Sequence, residues 1–373
     1  MIDPLELSQG GLFASSEWAA RRIGDYFVRA MLGRGAMGVV YLVEGSEGQQ
    51  LALKLLPEEM ASDEESLTRF AREVEALAIL AGHRSIVRVH GAGQTERGVP
   101  YYVMDYVEGL NLKQALKAGL ARERALDALE RAAAALDYAH EHGLLHRDVK
   151  PDNIMIDVSG EARLTDFGLA RALRQAAQNR LTQTGQTLGT PAYMAPEQAT
   201  SAEDKVGPWT DVYLLGGILH EILTGHPPHR GGSYMQLIVH ACRSAPPTLE
   251  ADTPLELRRL ITRALAREPA QRYATVAEFR EALEAFLQHR DSLKLSQRAR
   301  RRLVTCESIE TASLCVEARA EITGELAESI AGFRQALELW PENREALEGR
   351  HKATLEAARF ALEGGDLSLV RAS

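Results

Sequence analysis

The sequence predicts an α+β chain: a strand-rich N-terminal region with one principal helix, a larger and mainly helical region, and an all-helical C-terminal extension. Three observations predict it. Between residues 25 and 110, runs of β-branched and aromatic residues alternate with turn signals. From residue 112 to 290, apolar residues recur at helical spacing, as in the stripe over 132–136. Beyond a basic run ending in Arg298, Arg300, Arg301 and Arg302, the chain reads as helix and holds no glycine until Gly324.

In the first region, Val39-Val40-Tyr41-Leu42-Val43 and Leu51-Ala52-Leu53-Lys54-Leu55 flank Gly45-Ser46-Glu47-Gly48, which predicts two strands joined by a turn. Ser62 with Glu65 three residues on is a capping box, and Phe70, Val74, Leu77 and Leu80 follow with helical spacing. The second region is broken by a loop-rich stretch from His146 to Glu197, and its last helical pattern covers 277–286. The basic run that follows marks a plausible boundary.

A length of 373 residues suits two or three domains, and a composition 45% hydrophobic and 25% charged is that of a folded protein. The net charge of −9 gives no basic footprint, so nucleic acid is not an expected partner. Cys242, Cys306 and Cys315 are too scattered for a disulfide framework or a metal site, which fits a reducing compartment. Residues 1–24 carry Asp3, Glu6 and Glu17 and lack the apolar core of a secretory signal. No run approaches the roughly 18 apolar residues of a membrane helix. The expectation is a soluble, cytoplasmic chain, or the cytoplasmic part of a longer membrane-anchored protein.

The first chemical signal is Gly33-Arg34-Gly35-Ala36-Met37-Gly38-Val39-Val40. A dinucleotide loop would lead from a strand into a helix, but strand-forming residues follow here. The Gly-Lys-Ser/Thr ending of a Walker loop is absent. What remains is a glycine-rich hairpin, either merely tight or able to close its backbone over phosphates because no Cβ intervenes. Lys54, mid-strand one hairpin later, is either a solvent-facing lysine or a cation reaching the α- and β-phosphates. In the second case a carboxylate from the following helix would hold it. Glu73 is the candidate and Glu75 the alternative. The two lie about 200° apart round a helix, so only one can face Lys54.

The decisive stretch is His146-Arg147-Asp148-Val149-Lys150-Pro151-Asp152-Asn153, followed by Asp166-Phe167-Gly168. As an ordered set with the glycine loop and Ala52-x-Lys54, these motifs resemble the eukaryotic-like (Hanks-type) protein kinases, most closely their bacterial serine/threonine branch. The resemblance covers about residues 25–290 and implies a bilobal fold with a small lobe (25–109), a large lobe (110–290) and Mg-ATP in the cleft. Phosphoryl transfer involves little covalent chemistry for the protein, so the site must align hydroxyl and phosphate and neutralise spreading charge. The resemblance implies that Asp148 accepts or orients the hydroxyl proton and that Lys150 lies near the γ-phosphate. It implies that Asn153 and Asp166 hold Mg2+ (or Mn2+). His146 is read as structural. The spacing His140-x-His142-x-x-x-His146 also admits a metal site, disfavoured for want of supporting residues.

The resemblance further places Leu32, Gly33, Gly35, Ala36, Met37 and Gly38 over the nucleotide, Val40 and Ala52 above the adenine and Met155 below it; core packing is the plainer reading of the last three. Met104 is the expected gatekeeper, with backbone groups of Asp105 and Val107 pairing with adenine. Gly189-Thr190-Pro191-Ala192-Tyr193-Met194-Ala195-Pro196-Glu197 resembles the end of an activation loop. Thr190 is expected to contact Asp148 and Lys150. Thr182, Thr184 and Thr187 are phosphorylation candidates, with Arg147 as the partner of a phosphate; otherwise they are ordinary loop threonines. Asp211 is expected to brace the catalytic loop, and Arg272 to form a buried pair with Glu197. Tyr213 and Leu214 replace the family's aromatic and serine after Asp211, a change expected to affect packing only.

Residues 1–24 then form a leader and 291–373 a helical tail. Its segment 331–346, AGFRQALELWPENREA, weakly resembles the second helix of a tetratricopeptide repeat. The tail is either a helical appendage packed on the kinase or a sign that the chain is a fragment of a longer protein, such as a receptor whose membrane span lies beyond it; a protein partner or self-association through the tail is a further expectation. Gly364-Gly365-Asp366 could open one more helix. Three functional readings compete: an active serine/threonine kinase acting on proteins, a nucleotide-binding pseudokinase, and a tail-centred binding module with the kinase as its switch. Intact Lys54, Asp148, Asn153 and Asp166 favour the first.

Overall fold

A computed structural model describes residues 22–35, 38–58, 64–167, 191–200, 202–245, 247–250, 253–307 and 316–364. The capping box at Ser62, Ala36 and Met37, Gly168, the threonines Thr182, Thr184, Thr187 and Thr190, and the segment after Gly364 lie outside the described residues. The chain divides into two compact units, Met1–Glu281 and Ala282–Ser373.

The first unit opens with β1 (Arg22–Ile23), β2 (Tyr26–Gly35), β3 (Gly38–Glu44) and β4 (Gln50–Leu55). Helix α1 (Glu64–Leu77) follows, then β5 (Val89–Gln94) and β6 (Pro100–Asp105). These strands form one antiparallel sheet in the order β1-β2-β3-β4-β6-β5. Strand alternation gives the sheet two different faces. Tyr41, Val43, Leu51, Leu53, Leu55, Tyr101 and Val103 build an apolar cluster with Ile23 and Val28. The intervening positions pair in register as Val40 with Lys54, Lys54 with Tyr102 and Ala52 with Met104, so these five residues share the opposite face.

After β7 (Gly109–Asn111) the chain is helical: α2 (Leu112–Lys117), capped by Asn111, and α3 (Arg122–Glu141). Small β8 (Ile154–Asp157) and β9 (Ala162–Leu164) complete a three-stranded sheet with β7. Then come α4 (Pro196–Ala199), α5 (Pro208–Thr224), α6 (Tyr234–Arg243) and α7 (Leu255–Ala264). Helix α5 starts on Pro208 and stops at Gly225, whose φ of +76° suits a left-handed cap. It is apolar almost all round, from Val212 to Leu223, as befits a helix packed between α3 and α7.

Helix α8 (Val276–Glu307) is continuous through residue 290, so the basic run at 298–302 sits in a helix and is not a linker. With α9 (Val316–Leu339) and α10 (Arg344–Gly364), its later part forms the second unit's core of Ala299, Leu303, Ile322, Leu326, Phe333, Ala336, Ala346 and Ala353. The α9–α10 packing requires Gly349, where a Cβ would lie 2.3 Å from the Phe333 ring. Pro341 falls in the turn between them. Asn343 caps α10 through the Ala346 amide (3.0 Å) and donates to Ser292 (2.8 Å) and Ser296 (3.0 Å).

Candidate active site

The loop between α3 and β8 carries Asp148, Lys150 and Asn153. Lys150 Nζ donates to Asp148 Oδ2 at 2.7 Å, and Asn153 Nδ2 to the Asp148 carbonyl at 2.9 Å. His146 is fully buried beneath them. Its Nδ1 receives the Asp148 amide (3.3 Å), which leaves the ring proton on Nε2 to reach the Thr165 carbonyl at 3.0 Å. His146 therefore orients both the loop and the residue before Asp166. Asp211 braces the same loop from α5. Its Oδ1 accepts from the Arg147 amide (2.8 Å), and its Oδ2 from the His146 amide (3.0 Å) and His140 Nε2 (2.8 Å). Burial alone would raise the Asp211 pKa, but His140 and the backbone donors outweigh it and hold the carboxyl below its usual value.

The three spaced histidines do not converge. His140 faces Asp211, His142 bonds the Tyr138 carbonyl and His146 bonds that of Thr165. Among the described residues no cluster of His, Cys, Asp and Glu has the make-up of a metal site.

Asp166 sits opposite the loop. Lys54 Nζ donates to its Oδ2 at 2.7 Å and the Tyr102 hydroxyl to its Oδ1 at 2.5 Å. Burial pushes the Asp166 pKa up, but Lys54 and the two hydrogen bonds prevail and keep the carboxyl ionised below its ordinary range. Lys54 is buried, not on a solvent face. On α1, Glu73 is half-buried and Glu75 exposed, so Glu73 is the carboxylate turned inward. Arg147 and Asp166 have φ of +65° and +63°, a left-handed geometry that non-glycine residues rarely hold outside strained functional sites.

Three of the positions expected to meet a nucleotide share one face of the sheet. Val40, Ala52 and Met104 share it with Lys54, and Thr165 Oγ1 lies 3.6 Å from Met104 Sδ. Val107 is buried after β6 and Met155 half-buried on β8. The Asp105 amide donates to the Arg88 carbonyl at 2.9 Å. Leu32 is exposed at the end of β2. A Cβ at Gly33 or Gly35 would meet nothing within 4 Å, so packing does not explain those glycines.

The residues also suit a hard cation. Asn153 has its amide nitrogen on Asp148, so its oxygen is the atom left for a metal, and Asp166 supplies an ionised carboxylate.

Residues 26–289 match the protein kinase domain family. The chain is a member of that family. The kinase domain is 37% identical over 269 residues to the serine/threonine-protein kinase PknA of Mycobacterium tuberculosis, which aligns 70% of this chain with 61% of PknA. It is 39% identical over 267 residues to PknB of Mycolicibacterium smegmatis, covering 69% of this chain and 42% of PknB. The chain thus spans less than two thirds of these relatives. Among solved structures, the Mycobacterium tuberculosis PknI kinase domain superposes with a TM-score of 0.57 at 31% identity, over 73% of this chain and 99% of that one. No helix among the described residues is long and apolar enough to cross a membrane.

Elsewhere in the first unit, Glu197 and Arg272 form the expected bidentate pair at 2.8 and 2.9 Å. Sequence reasoning missed Tyr102 and His140. Tyr102 was accessible, because alternation from Met104 puts it on the same face as the gatekeeper position. His140 was weighed only as a metal ligand. The expectation for Tyr213 needs correction: its ring does pack, under the Arg272 guanidinium at 4.7 Å, but its hydroxyl also bonds Ser244 at 2.8 Å.

Proposed function

We propose that this chain is a serine/threonine protein kinase that transfers the γ-phosphoryl group of ATP to protein hydroxyls with Mg2+ or Mn2+ as cofactor. One observation carries the reading: Asp148, held by Lys150 and Asn153, shares one loop system with Asp166, which Lys54 holds from the facing sheet. The bound metal supplies charge neutralisation on the phosphates. Asn153 and Asp166 would hold it, and Lys54 would steady the α- and β-phosphates with Glu73 behind it. Asp148 orients the acceptor hydroxyl and takes its proton as the oxygen attacks the γ-phosphorus. The bond to the β,γ-bridging oxygen breaks and its electron pair leaves with ADP. Lys150 offsets the charge that develops between them.

The threonines Thr182, Thr184 and Thr187 are candidate autophosphorylation sites, with Arg147 beside the catalytic Asp148 as the cation for the phosphate. Thr190 is proposed to hold Asp148 and Lys150 in line. The kinase works on cytoplasmic proteins, and residues 291–373 serve as a helical, tetratricopeptide-like platform for a protein partner or a second copy. The test is purified chain with Mg-ATP and a basic protein, read by phosphopeptide mass spectrometry beside Asp148→Asn and Asp166→Asn. Phosphoserine or phosphothreonine in the wild type alone is expected, with the variants slower by about 10²–10⁴-fold. Equal signals from all three chains, or none from the wild type despite ATP binding, would sink the reading.

A further inference from the structure

The stretch Pro191–Gln198 is fastened on two sides. Towards the catalytic loop, Gln198 Nε2 donates to the Arg147 carbonyl at 2.8 Å. On the other side stands His229, which is 4% exposed. Its backbone amide donates to the Ala192 carbonyl (3.0 Å) and its ring Nε2 lies 3.0 Å from the Met194 carbonyl. Between these points the Tyr193 hydroxyl donates to Glu221, and its ring lies against Gly217, where a Cβ would be 3.4 Å away.

The protons behind His229 can be placed by elimination. Nε2 is also 3.2 Å from the Tyr213 hydroxyl, which is 2.8 Å from Ser244 Oγ, and Ser244 Oγ is 3.0 Å from the Leu265 carbonyl. A carbonyl only accepts, so the single Ser244 proton goes to Leu265. Ser244 must then accept from Tyr213, and Tyr213 in turn accepts from His229. His229 is therefore protonated on Nε2, and that one N–H is shared between Tyr213 and Met194. Burial lowers the His229 pKa to about 4, which keeps the ring in this neutral form. The result is a one-way chain of donors running from His229 through Tyr213 in the middle of α5 and Ser244 to the Leu265 carbonyl at the end of α7, with the same His229 N–H also held on the Met194 carbonyl.

Gln198 ties the end of this stretch to the carbonyl of Arg147, the residue before Asp148, so the stretch borders the loop to which an acceptor hydroxyl would be presented. We propose that His229 and Tyr213 are positioning residues for the protein substrate: they set the Ala192–Met194 backbone against which the acceptor chain docks. The inference rests on the kinase reading and adds to it a determinant of acceptor affinity. Neither side chain needs to touch ATP for this.

The test compares full-length wild type, Tyr213→Phe and His229→Phe, with histone as acceptor. KM for histone, KM for ATP, kcat and acceptor-free ATP hydrolysis are measured. Tyr213→Phe should raise KM for histone about three- to tenfold, the worth of one hydrogen bond. His229→Phe should raise it further, with KM for ATP and acceptor-free hydrolysis unchanged in both. Unchanged KM for histone in a wild type-like, folded Tyr213→Phe overturns the proposal and leaves the kinase reading standing. So does a parallel fall in every parameter, which would mark a purely structural role. No phosphotransfer by the wild type removes both.

Discussion

Arg272–Glu197 and Lys54–Asp166 are both buried ion pairs, and they differ in what surrounds them. All five guanidinium N–H groups of Arg272 have acceptors: two on Glu197 and one each on the carbonyls of Trp209, Ala266 and Arg267. Glu197 also accepts from Thr210, and the pair's side chains are 0% and 2% exposed. Asp166 accepts two hydrogen bonds where a carboxylate offers about four lone-pair sites, and its side chain keeps 22% exposure. A closed network has no capacity left and holds the fold. An open one has coordination to offer and marks the site.

The comparison predicts opposite outcomes for truncating each cation. Arg272→Ala strands Glu197 and three carbonyls, so it should cost about 3–5 kcal/mol of stability, read by urea unfolding. Lys54→Ala should abolish phosphotransfer while losing less than half that stability, because Tyr102 and solvent still reach Asp166. Wild type-like melting of Arg272→Ala with lost activity would break the distinction, as would collapse of Lys54→Ala.

The His229 relay is a second closed network, and pH offers a way to probe it. His229 carries a folded pKa of about 4 against an ordinary 6.5, because burial disfavours the imidazolium and His240 and His220 add repulsion, against the Met194 carbonyl. Its neighbours in the relay, Tyr213 and Ser244, are neutral, with the Tyr213 pKa pushed up to about 12. As pH falls through 6.5 the unfolded chain takes up a proton that the folded chain refuses until near pH 4. The contribution to stability is thus full above pH 6.5 and lost through that window. Between pH 7 and 5 the wild type should lose about 2 kcal/mol more than His229→Phe. Equal losses would mean that His229 is not held neutral.

These networks also show what a sequence exposes. The motifs of the proposed site were legible because phosphoryl transfer needs particular residue types at close spacing, as in His146–Asn153. The buried partnership of Glu197 and Arg272 was legible only through resemblance, since 75 positions separate them. Tyr213 was misjudged for a physical reason. Whether a buried hydroxyl merely packs or joins a relay depends on neighbours at 229 and 244, which only the tertiary fold brings to within 3.2 Å. The continuous helix through residue 290 hid behind its basic run, because arginine is a good helix former as well as a surface residue.

The smallest effect separates two glycines of one loop. Gly38 has a φ of +118°, and a Cβ there would lie 2.1 Å from the Leu55 carbonyl oxygen, so the fold itself demands glycine. Gly35, its pairing partner across the hairpin, has neither constraint. Gly38→Ala should therefore lower stability by at least about 1 kcal/mol through backbone strain. Gly35→Ala should melt like the wild type and instead raise KM for ATP by about three- to tenfold, since its new methyl stands where a phosphate would approach the backbone. An unchanged KM for ATP would show that the backbone at residue 35 stays clear of the phosphates. Gly35 would then join Gly38 as a hairpin glycine, and the open space over β2 would no longer count towards the nucleotide site.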